Sequence, residues 1–558
     1  MTGREQTEIE RKYDVGELSQ FPPLEDIAGV AEVTKRDAVT LTAVYYDTDT
    51  HDLARQRIVL RRREGGSDAG WHLKTPAGEG RTEVHWPLDI GDAAPGAVPA
   101  EVLEPVRAIV RDRPLTPLAR ISTVRTAVHL HGPDGAALAE IADDAVSASD
   151  ARGGTYRKWR EWEVELLDAA PDTRSKRTHL LDTIEKAVLA AGARPSTSVA
   201  KIAQATGVDS LPALAGPAAL PGLLPAPALQ DPDSGGALVV GALRELRDEL
   251  VRMDPLARAD APDAIHRMRT VVRRLRSVLA VYSRLFDKRA VAELRSELKY
   301  LGIELGRARD AEVRGRRTAA ELAGVAPHPH ADAEVRLVGG GRLDYADGLE
   351  RARSYLLSTR YYRLLDALDA FANWPPLTDK ATKPAIAEIR RDLGKAVAAV
   401  GRATARVTEA DDQEAALHEV RKAARRLRYA AQSAALAEPV APVLPAVRKS
   451  GKSSKKARKK AKAKRAAASA RFAKRRPRYA GIAAAAKPLV KRLGNRHDRL
   501  LYVAELEEAA QAAHEAGENT LLYGLLVARA EDRDDTAAIA LVDAQRSLHR
   551  LERLVRKL

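Results

Sequence analysis

The spacing of apolar residues changes once along this chain, from every second residue ahead of a Pro-, Gly-, Ala- and Leu-rich stretch at 207–236 to a period near 3.6 beyond it. Alternate side chains share a face in a strand, and every third or fourth in a helix, so the two halves need different layers and separate cores. The chain of 558 residues also exceeds what one hydrophobic core organises, and the stretch supplies a linker at the break. Ahead of it, alternation runs through 8–12, 40–46, 57–63, 71–74, 81–86, 123–130, 138–142 and 161–166. Gly65-Gly66, Pro133-Asp134-Gly135 and Gly153-Gly154 separate several of these segments, which predicts an antiparallel meander or barrel with helices near 100–111 and 174–191. Beyond the stretch nearly every segment is an Ala/Leu/Arg/Glu amphipathic helix, which predicts a bundle. The expected class is α+β, with a β domain at 1–206, the linker at 207–236 and an all-α domain at 237–558.

The sequence has no cysteine, which excludes thiolate zinc sites, iron–sulfur clusters, disulfide frameworks and cysteine nucleophiles. Met1-Thr2-Gly3-Arg4-Glu5 has no apolar signal-peptide core. The longest uncharged stretch, 211–229, holds Pro212, Pro217, Pro221, Pro225 and Pro227, which a spanning helix tolerates poorly. These features predict a cytoplasmic protein with no membrane partner. The net charge of +15 points to polyanions, but sixteen Lys and Arg with no acid fall between 448 and 478, and the rest of the chain is close to neutral.

The helical half repeats itself. Residues 265–276 align without gaps on 417–428, so that His266, Arg269, Arg273 and Arg276 fall on His418, Arg421, Arg425 and Arg428. Lys299, Leu305-Gly306 and Asp310 recur as Lys487, Leu493-Gly494 and Asp498. Repeat one is expected at about 237–376 and repeat two at about 384–558. The basic run reads as a disordered insertion at about 445–480 in the second, and a His/Gly-rich loop near 324–342 interrupts the first. At 100° per residue the four basic residues of each stripe share an arc of roughly 80°, opposite Met268, Val271, Val272 and Leu275 or Val420, Ala423, Ala424 and Leu427. A solvated face accounts for one such stripe, and recurrence in both copies weakens that account for the pair, although the histidines alone prove nothing.

In the β half, alternation places Glu8, Glu10 and Lys12 on one face, Arg61 with Arg63, His72 with Lys74, Arg81 with Glu83, and Glu161 with Glu163 and Glu165. A solvated outer face accounts for any one of these strands. The opposite face, however, carries Ile9, Leu60, Leu73, Val84, Trp162 and Val164, so a closed sheet could turn its charges inward. Buried carboxylates and cations are costly without a ligand among them. Carboxylates suit a hard divalent cation, and Lys and Arg suit phosphate oxygens, so a metal-bound polyphosphate satisfies both.

Glu8-Ile9-Glu10-Arg11-Lys12 resembles the Glu-x-Glu-x-Lys signature of the CYTH, or triphosphate tunnel metalloenzyme, family. Tyr46-Asp47-Thr48, Leu60-Arg61-Arg62-Arg63, Lys74-Thr75-Pro76, Arg81 with Glu83, Arg125, Glu140 with Asp144, Glu163-Val164-Glu165 and Lys201 extend the match over about 4–203. The resemblance implies an eight-stranded antiparallel tunnel. Glu8, Glu10, Glu163 and Glu165 would hold Mg²⁺ or Mn²⁺ and orient the attacking water, with Glu161 a lesser member and Lys12 in the same catalytic group. Arg61, Arg63, Lys74, Arg81, Arg125 and Lys201 would bind phosphate.

The repeated half resembles the CHAD domain, through both His-x-x-Arg-x-x-x-Arg-Arg-Leu-Arg segments and both Leu-Gly-x-x-x-Asp segments. This implies two four-helix bundles facing a basic cleft that binds inorganic polyphosphate through His266, Arg269, Arg273, Arg276, Lys299, His418, Arg421, Arg425, Arg428 and Lys487. Together the resemblances imply metal-dependent hydrolysis of inorganic triphosphate or short-chain polyphosphate, with polyphosphate granules as one location. The alternatives are a non-catalytic polyphosphate scaffold and a CYTH enzyme acting on thiamine triphosphate or ATP. The basic run could touch any polyanion, but without aromatic residues before Phe472 it does not support sequence-specific nucleic-acid recognition.

Overall fold

The computed structural model describes residues 3–92, 94, 96–196, 198, 200–207, 229, 231–324, 331–438, 452–530 and 536–558. The chain divides into two compact units, Met1–Pro221 and Gly222–Leu558. Most of the expected linker, and parts of the 324–342 loop and of the basic insertion, lie outside the described residues. The end of the linker differs from expectation: Gly235 and Gly236 already belong to a helix whose first turn is capped by the Ser234 side chain.

The first unit is built on strands β1 (Arg4–Glu8), β2 (Glu10–Val15), β3 (Glu32–Lys35), β4 (Val39–Asp47), β5 (Val59–Glu64), β6 (Gly70–Pro76), β7 (Arg81–Trp86), β8 (Thr116–His131), β9 (Ala137–Asp150), β10 (Tyr156–Leu166) and β11 (Arg194–Pro195). They form one sheet in the order β1-β7-β6-β5-β4-β8-β9-β10-β2-β11, with β3 on β8. β1 and β2 are one run of chain divided only at Ile9. The first part pairs with β7, placing Glu8 opposite Arg81, and the second with β10, placing Glu10 opposite Glu165 and Lys12 opposite Glu163. One strand therefore supplies both edges and the sheet closes. With β1–β2 counted once and the short β3 and β11 set aside, the expected eight strands remain.

The closed sheet carries its main apolar clusters outside. Trp162, Val164, Ile141 and Leu130 pack with Leu180, Leu181, Ile184 and Val188 of the helix Arg174–Ala190. Leu60, Leu73, Trp71 and Trp86 pack with Val102, Val106 and Val110. Leu60, Leu73, Trp162 and Val164 are fully buried, each burial contributing about 1.5–3 kcal/mol. These outer contacts stabilise a barrel whose interior is largely polar. Inside, Ala43, Tyr45, Ile121 and Val146 form an apolar patch covered by Ala200, Ile202 and Ala205 at the short helix Lys201–Thr206.

In the second unit, the helices Gly235–Arg258, Ala264–Val281, Lys288–Leu322 and Gly340–Leu356 pack as one bundle, joined by Thr359–Asn373. Ala385–Arg406, Gln413–Leu436, Arg476–Glu515 and Ala537–Arg556 pack as another. The two stripe-bearing helices, Ala264–Val281 and Gln413–Leu436, touch each other and bury the apolar faces expected of them, including Met268, Val272 and Leu275 on one and Val420, Ala424 and Leu427 on the other. No helix among the described residues is long and apolar enough to cross a membrane.

The basic insertion departs from the expected disorder. Residues Lys452–Ala473 are helical, because Ala, Lys and Arg are strong helix formers and the segment has a tertiary anchor. Ala468 and Phe472 are buried, Ser469 donates to Glu438, and Arg471 pairs with Asp233.

Gly80 marks the sheet closure. Its φ is +74°, and a Cβ there would lie 2.0 Å from the Glu8 carbonyl oxygen. Gly80→Ala should destabilise the first unit by about 1–3 kcal/mol. Urea unfolding followed by fluorescence, to which Trp71, Trp86, Trp159 and Trp162 of this unit contribute beside Trp374 of the other, checks this in the transition of the first unit. Gly78→Ala, with no atom within 4 Å of the new methyl, should shift stability by less than about 0.5 kcal/mol.

Candidate functional site

The period-2 geometry of β1–β2, β5, β6, β7, β8 and β10 aims one charged side chain after another into the barrel. A cavity of about 180 Å³ there is lined by all eleven expected residues: Glu8, Glu10, Lys12, Arg61, Arg63, Lys74, Arg81, Arg125, Glu163, Glu165 and Lys201. Gln6, Tyr45, Asp68, Glu83 and Glu140 also line it, giving seven carboxylates against seven cations.

Most of these charges hold one another. Lys12 bridges Glu163 and Glu10, with Nζ 3.0 Å from Glu10, and Lys74 pairs with Glu8. Arg125 forks onto Asp144 at 2.8 and 2.7 Å and reaches Glu163 at 2.6 Å. The Lys201 ammonium lies 2.8 Å from both Asp144 and Glu161 and 2.7 Å from Glu163. Arg63 pairs with Asp68, while Arg81 donates to the Arg57 carbonyl at 2.8 Å. Burial alone would push Glu163 up, but Lys12, Lys201 and Arg125 hold it well below the usual carboxylate range. Burial likewise opposes the charge on Lys12, which Glu163 and Glu10 hold well above the usual amine value. Arg63 is lowered to about 9 by burial and by the neighbouring charges of Arg61 and Arg125. That crowding favours an anion.

Among the described residues one group of acids brings its oxygens close enough together to share a cation. Oxygens of Asp144, Glu161 and Glu163 lie within 4.8 Å of one another, but Lys201 already fills that group with its ammonium. Glu161 also accepts from Trp159 Nε1 at 2.6 Å, so its contacts set it apart from Glu165. Glu165 forms no salt bridge among the described residues. Burial, then the charge of Glu8, pushes it up to about 8, with Glu10 and Glu163 adding to the effect. Glu8 Oε2 is buried without a hydrogen-bond partner. These acids do not form a second close-set group of oxygens, but a hard divalent ion suits their chemistry, because it would satisfy the unpartnered Glu8 oxygen and relieve the repulsion that raises Glu165.

Sequence reasoning missed the role of Glu83 and its partner His72. Glu83 accepts from Gln6 Nε2 at 3.2 Å, lies 2.9 Å from His72 Nδ1, and stands 3.6 and 3.7 Å from Lys74 and Arg61. Burial raises its pKa, yet His72, Lys74 and Arg61 hold it far below the usual range. His72 is buried and lowered to about 3 by burial, despite the bond to Glu83, with Arg61 and Arg63 adding to the lowering. Alternation placed Arg81 with Glu83, but the pairing of β6 with β7 is what sets Lys74 opposite Glu83.

In the second unit a cavity of about 670 Å³ is lined by Arg269, Arg273, Arg276, Lys299 and Arg425, together with Arg307, Arg314, Asp310, Asp344 and Asp347. His266, His418, Arg421, Arg428 and Lys487 do not line it. Arg421 turns toward Asp498 at 3.5 Å, and the His418 ring packs 4.5 Å from that of His497. The repeated Leu-Gly-x-x-x-Asp motif has a physical role. A Cβ at Gly306 would sit 3.4 Å from Arg269 Nη2, and one at Gly494 would sit 3.3 Å from Arg421 Nη2, so each glycine leaves room for a guanidinium that pairs with the following Asp310 or Asp498. Arg425 is lowered to about 10 by burial and by Arg273 and Arg421, and the Nε atoms of Arg273 and Arg276 are buried without hydrogen-bond partners.

Family models match the chain twice, as a CYTH domain over residues 6–187 and a CHAD domain over 241–452. The chain is 38% identical over 566 residues to the uncharacterized protein Rv2226 of Mycobacterium tuberculosis strain H37Rv, an alignment that covers 99% of this chain and 97% of that protein. Among solved structures, the CHAD domain from Ricinus communis is 23% identical, covers 58% of this chain and 97% of its own, and has a TM-score of 0.39. HpAC1 from Hippeastrum, described as an adenylyl cyclase with a dominant triphosphatase activity, is 19% identical, covers 37% of this chain and 98% of its own, and has a TM-score of 0.24.

Glu165 binds its proton more tightly in the barrel, near pH 8, than at the ordinary value of 4.5. Its contribution to stability is therefore complete below pH 4.5 and is lost as pH rises through about 8. In metal-free urea titrations, wild type should lose stability from about pH 6 to 9 and Glu165→Gln should lose markedly less. Equal losses would show that Glu165 ionises normally.

Proposed function

The chain belongs to the family in which a CYTH domain is followed by a CHAD domain, and on that premise we propose that its tunnel hydrolyses inorganic triphosphate or short-chain polyphosphate with a divalent metal, while its helical domain binds inorganic polyphosphate. The observation that carries this reading is the balanced lining of the tunnel: seven cations and seven carboxylates, most of them holding one another in place. A triphosphate offers the cations new partners, and a divalent ion does the same for the carboxylates.

Arg63, lowered by burial and by the nearby charges of Arg61 and Arg125, gains most from phosphate oxygens, while Lys12, Arg61, Lys74, Arg81, Arg125 and Lys201 complete the cradle. Glu8, Glu10, Glu163 and Glu165 are the residues that would hold Mg²⁺ or Mn²⁺. The ion, when bound, supplies charge neutralisation at phosphate oxygens and acidity to a water. Glu83, itself in the lining, positions Lys74 and Arg61. Phosphoryl transfer depends largely on positioning and charge neutralisation, which these fixed groups provide.

The cavity favours an inorganic substrate over thiamine triphosphate or ATP. Its volume of about 180 Å³ falls below the roughly 300–1,000 Å³ common for drug-sized organic ligands, and Tyr45 is the single aromatic residue in its lining. The cleft of the helical domain has the opposite electrostatics, with seven cations against three carboxylates around a larger space, which suits a long polyanion.

Steady-state phosphate release from tripolyphosphate, thiamine triphosphate and ATP, each with Mg²⁺ or Mn²⁺, tests the reading. Tripolyphosphate should be preferred at least tenfold in kcat/KM, with no turnover in chelator. Arg273→Glu combined with Arg425→Glu should keep that turnover while weakening long-chain polyphosphate binding more than tenfold. Binding without phosphate release under either metal would favour a scaffold.

A further inference from the structure

Neither the tunnel nor the cleft uses the most basic part of the chain. Between 448 and 478 it holds sixteen Lys and Arg and no acid, and the CHAD family match ends at residue 452, where the helix Lys452–Ala473 begins. At 1.5 Å per residue that helix is about 33 Å long. Its C-terminal end is anchored through Ala468 and Phe472, whereas Lys459, Lys460, Lys462 and Lys464 are exposed.

The arrangement of these cations restricts the partner. Taken from Lys459 at 100° per residue, Lys460, Lys462 and Lys464 fall at roughly 100°, 300° and 140°, so positive charge surrounds the helix. A membrane-surface helix needs a large apolar face, and alanines are the apolar residues available here before Phe472. Single-stranded nucleic acid is held by aromatic stacking, and no aromatic residue occurs between 448 and 471. A single chain of phosphates lying along the helix would meet one side of it. The major groove of B-DNA admits an α-helix between two walls of phosphates, while that of duplex RNA is too deep and narrow.

We propose that the helix Lys452–Ala473 docks duplex DNA in the major groove, holding the phosphates of both walls. The phosphate contacts carry no sequence information, and the helix has no Asn or Gln to read adenine edges, so the preference it can express is limited to guanine, whose O6 and N7 accept from Lys and Arg.

The test uses the full chain and a fluorescent mixed-sequence 24-base-pair DNA, titrated by anisotropy at 50 and 200 mM salt, beside single-stranded DNA, duplex RNA and long-chain polyphosphate. The variant carries Lys459→Gln, Lys460→Gln, Lys462→Gln and Lys464→Gln, which retain helix propensity, and its far-UV circular dichroism should match wild type. Wild type should bind duplex DNA more tightly than single-stranded DNA or duplex RNA. The variant should lose at least tenfold in DNA affinity at 50 mM salt, with the salt slope reduced by about 3–4. Its polyphosphate affinity should stay within twofold of wild type. No binding of duplex DNA by wild type, equal affinity for all three nucleic acids, or unchanged DNA affinity in the variant would overturn the proposal. A parallel loss of polyphosphate binding would overturn it as well, by assigning the helix to the polyphosphate site.

Discussion

A carboxylate or an ammonium inside a closed sheet has little water to solvate it, so it must be neutralised by another side chain, by a proton or by a ligand. The tunnel uses the first two. Lys12, Lys74, Arg125 and Lys201 are held by Glu10, Glu163, Glu8, Asp144 and Glu161, and Glu165 takes up a proton near neutral pH. The arrangement depends on β1–β2 pairing with both β7 and β10, because that pairing turns an ordinary two-faced sheet inside out. The resulting cost is offset by the outer packing of Trp162, Leu60 and Leu73 against helices. A ligand that brings both signs of charge can replace these internal pairs without leaving charges stranded, and a metal-bound triphosphate does this.

The helical unit treats charge differently. Arg273 and Arg425 belong to different repeats, yet burial and neighbouring arginines lower both, Arg269 and Arg421 acting on Arg273 and Arg273 and Arg421 acting on Arg425, and neither forms a salt bridge among the described residues. Arg269 and Arg421 are instead stabilised by Asp310 and Asp498, with Gly306 and Gly494 leaving space for them. The repeat thus supplies one supported arginine and one crowded arginine from each copy. An excess of cations surrounds the open cleft, whereas cations and carboxylates balance in the tunnel.

Much of this was legible in the sequence because strand alternation and helical periodicity report faces directly. All eleven tunnel residues were found that way or through the CYTH resemblance, and the buried stripe of each CHAD helix followed from a 100° step. What periodicity cannot report is which elements become neighbours. Glu83 shares a face with Arg81 in sequence, but its bonds to Gln6 and His72 arise from β7 lying between β1 and β6. Arg428 and Lys487 sit on faces that looked equivalent to those of Arg276 and Lys299, yet the packed bundles leave them out of the cavity that the latter line. The basic run was expected to be disordered from its charge density, whereas alanine content and the Phe472 anchor favour a helix.

Proton release on metal binding tests the exchange of internal partners most directly. Calorimetric titration of Mn²⁺ into the full-length protein at pH 7, in buffers of different ionisation enthalpy, counts the protons released, because a ligating carboxylate must be ionised. With Glu165 near 8, close to one proton should leave for each tunnel ion bound, and Glu165→Gln should release almost none. Tight binding with no proton release from wild type would contradict the account, because the ion would then be held without Glu165 and the acids around it would not be waiting for one.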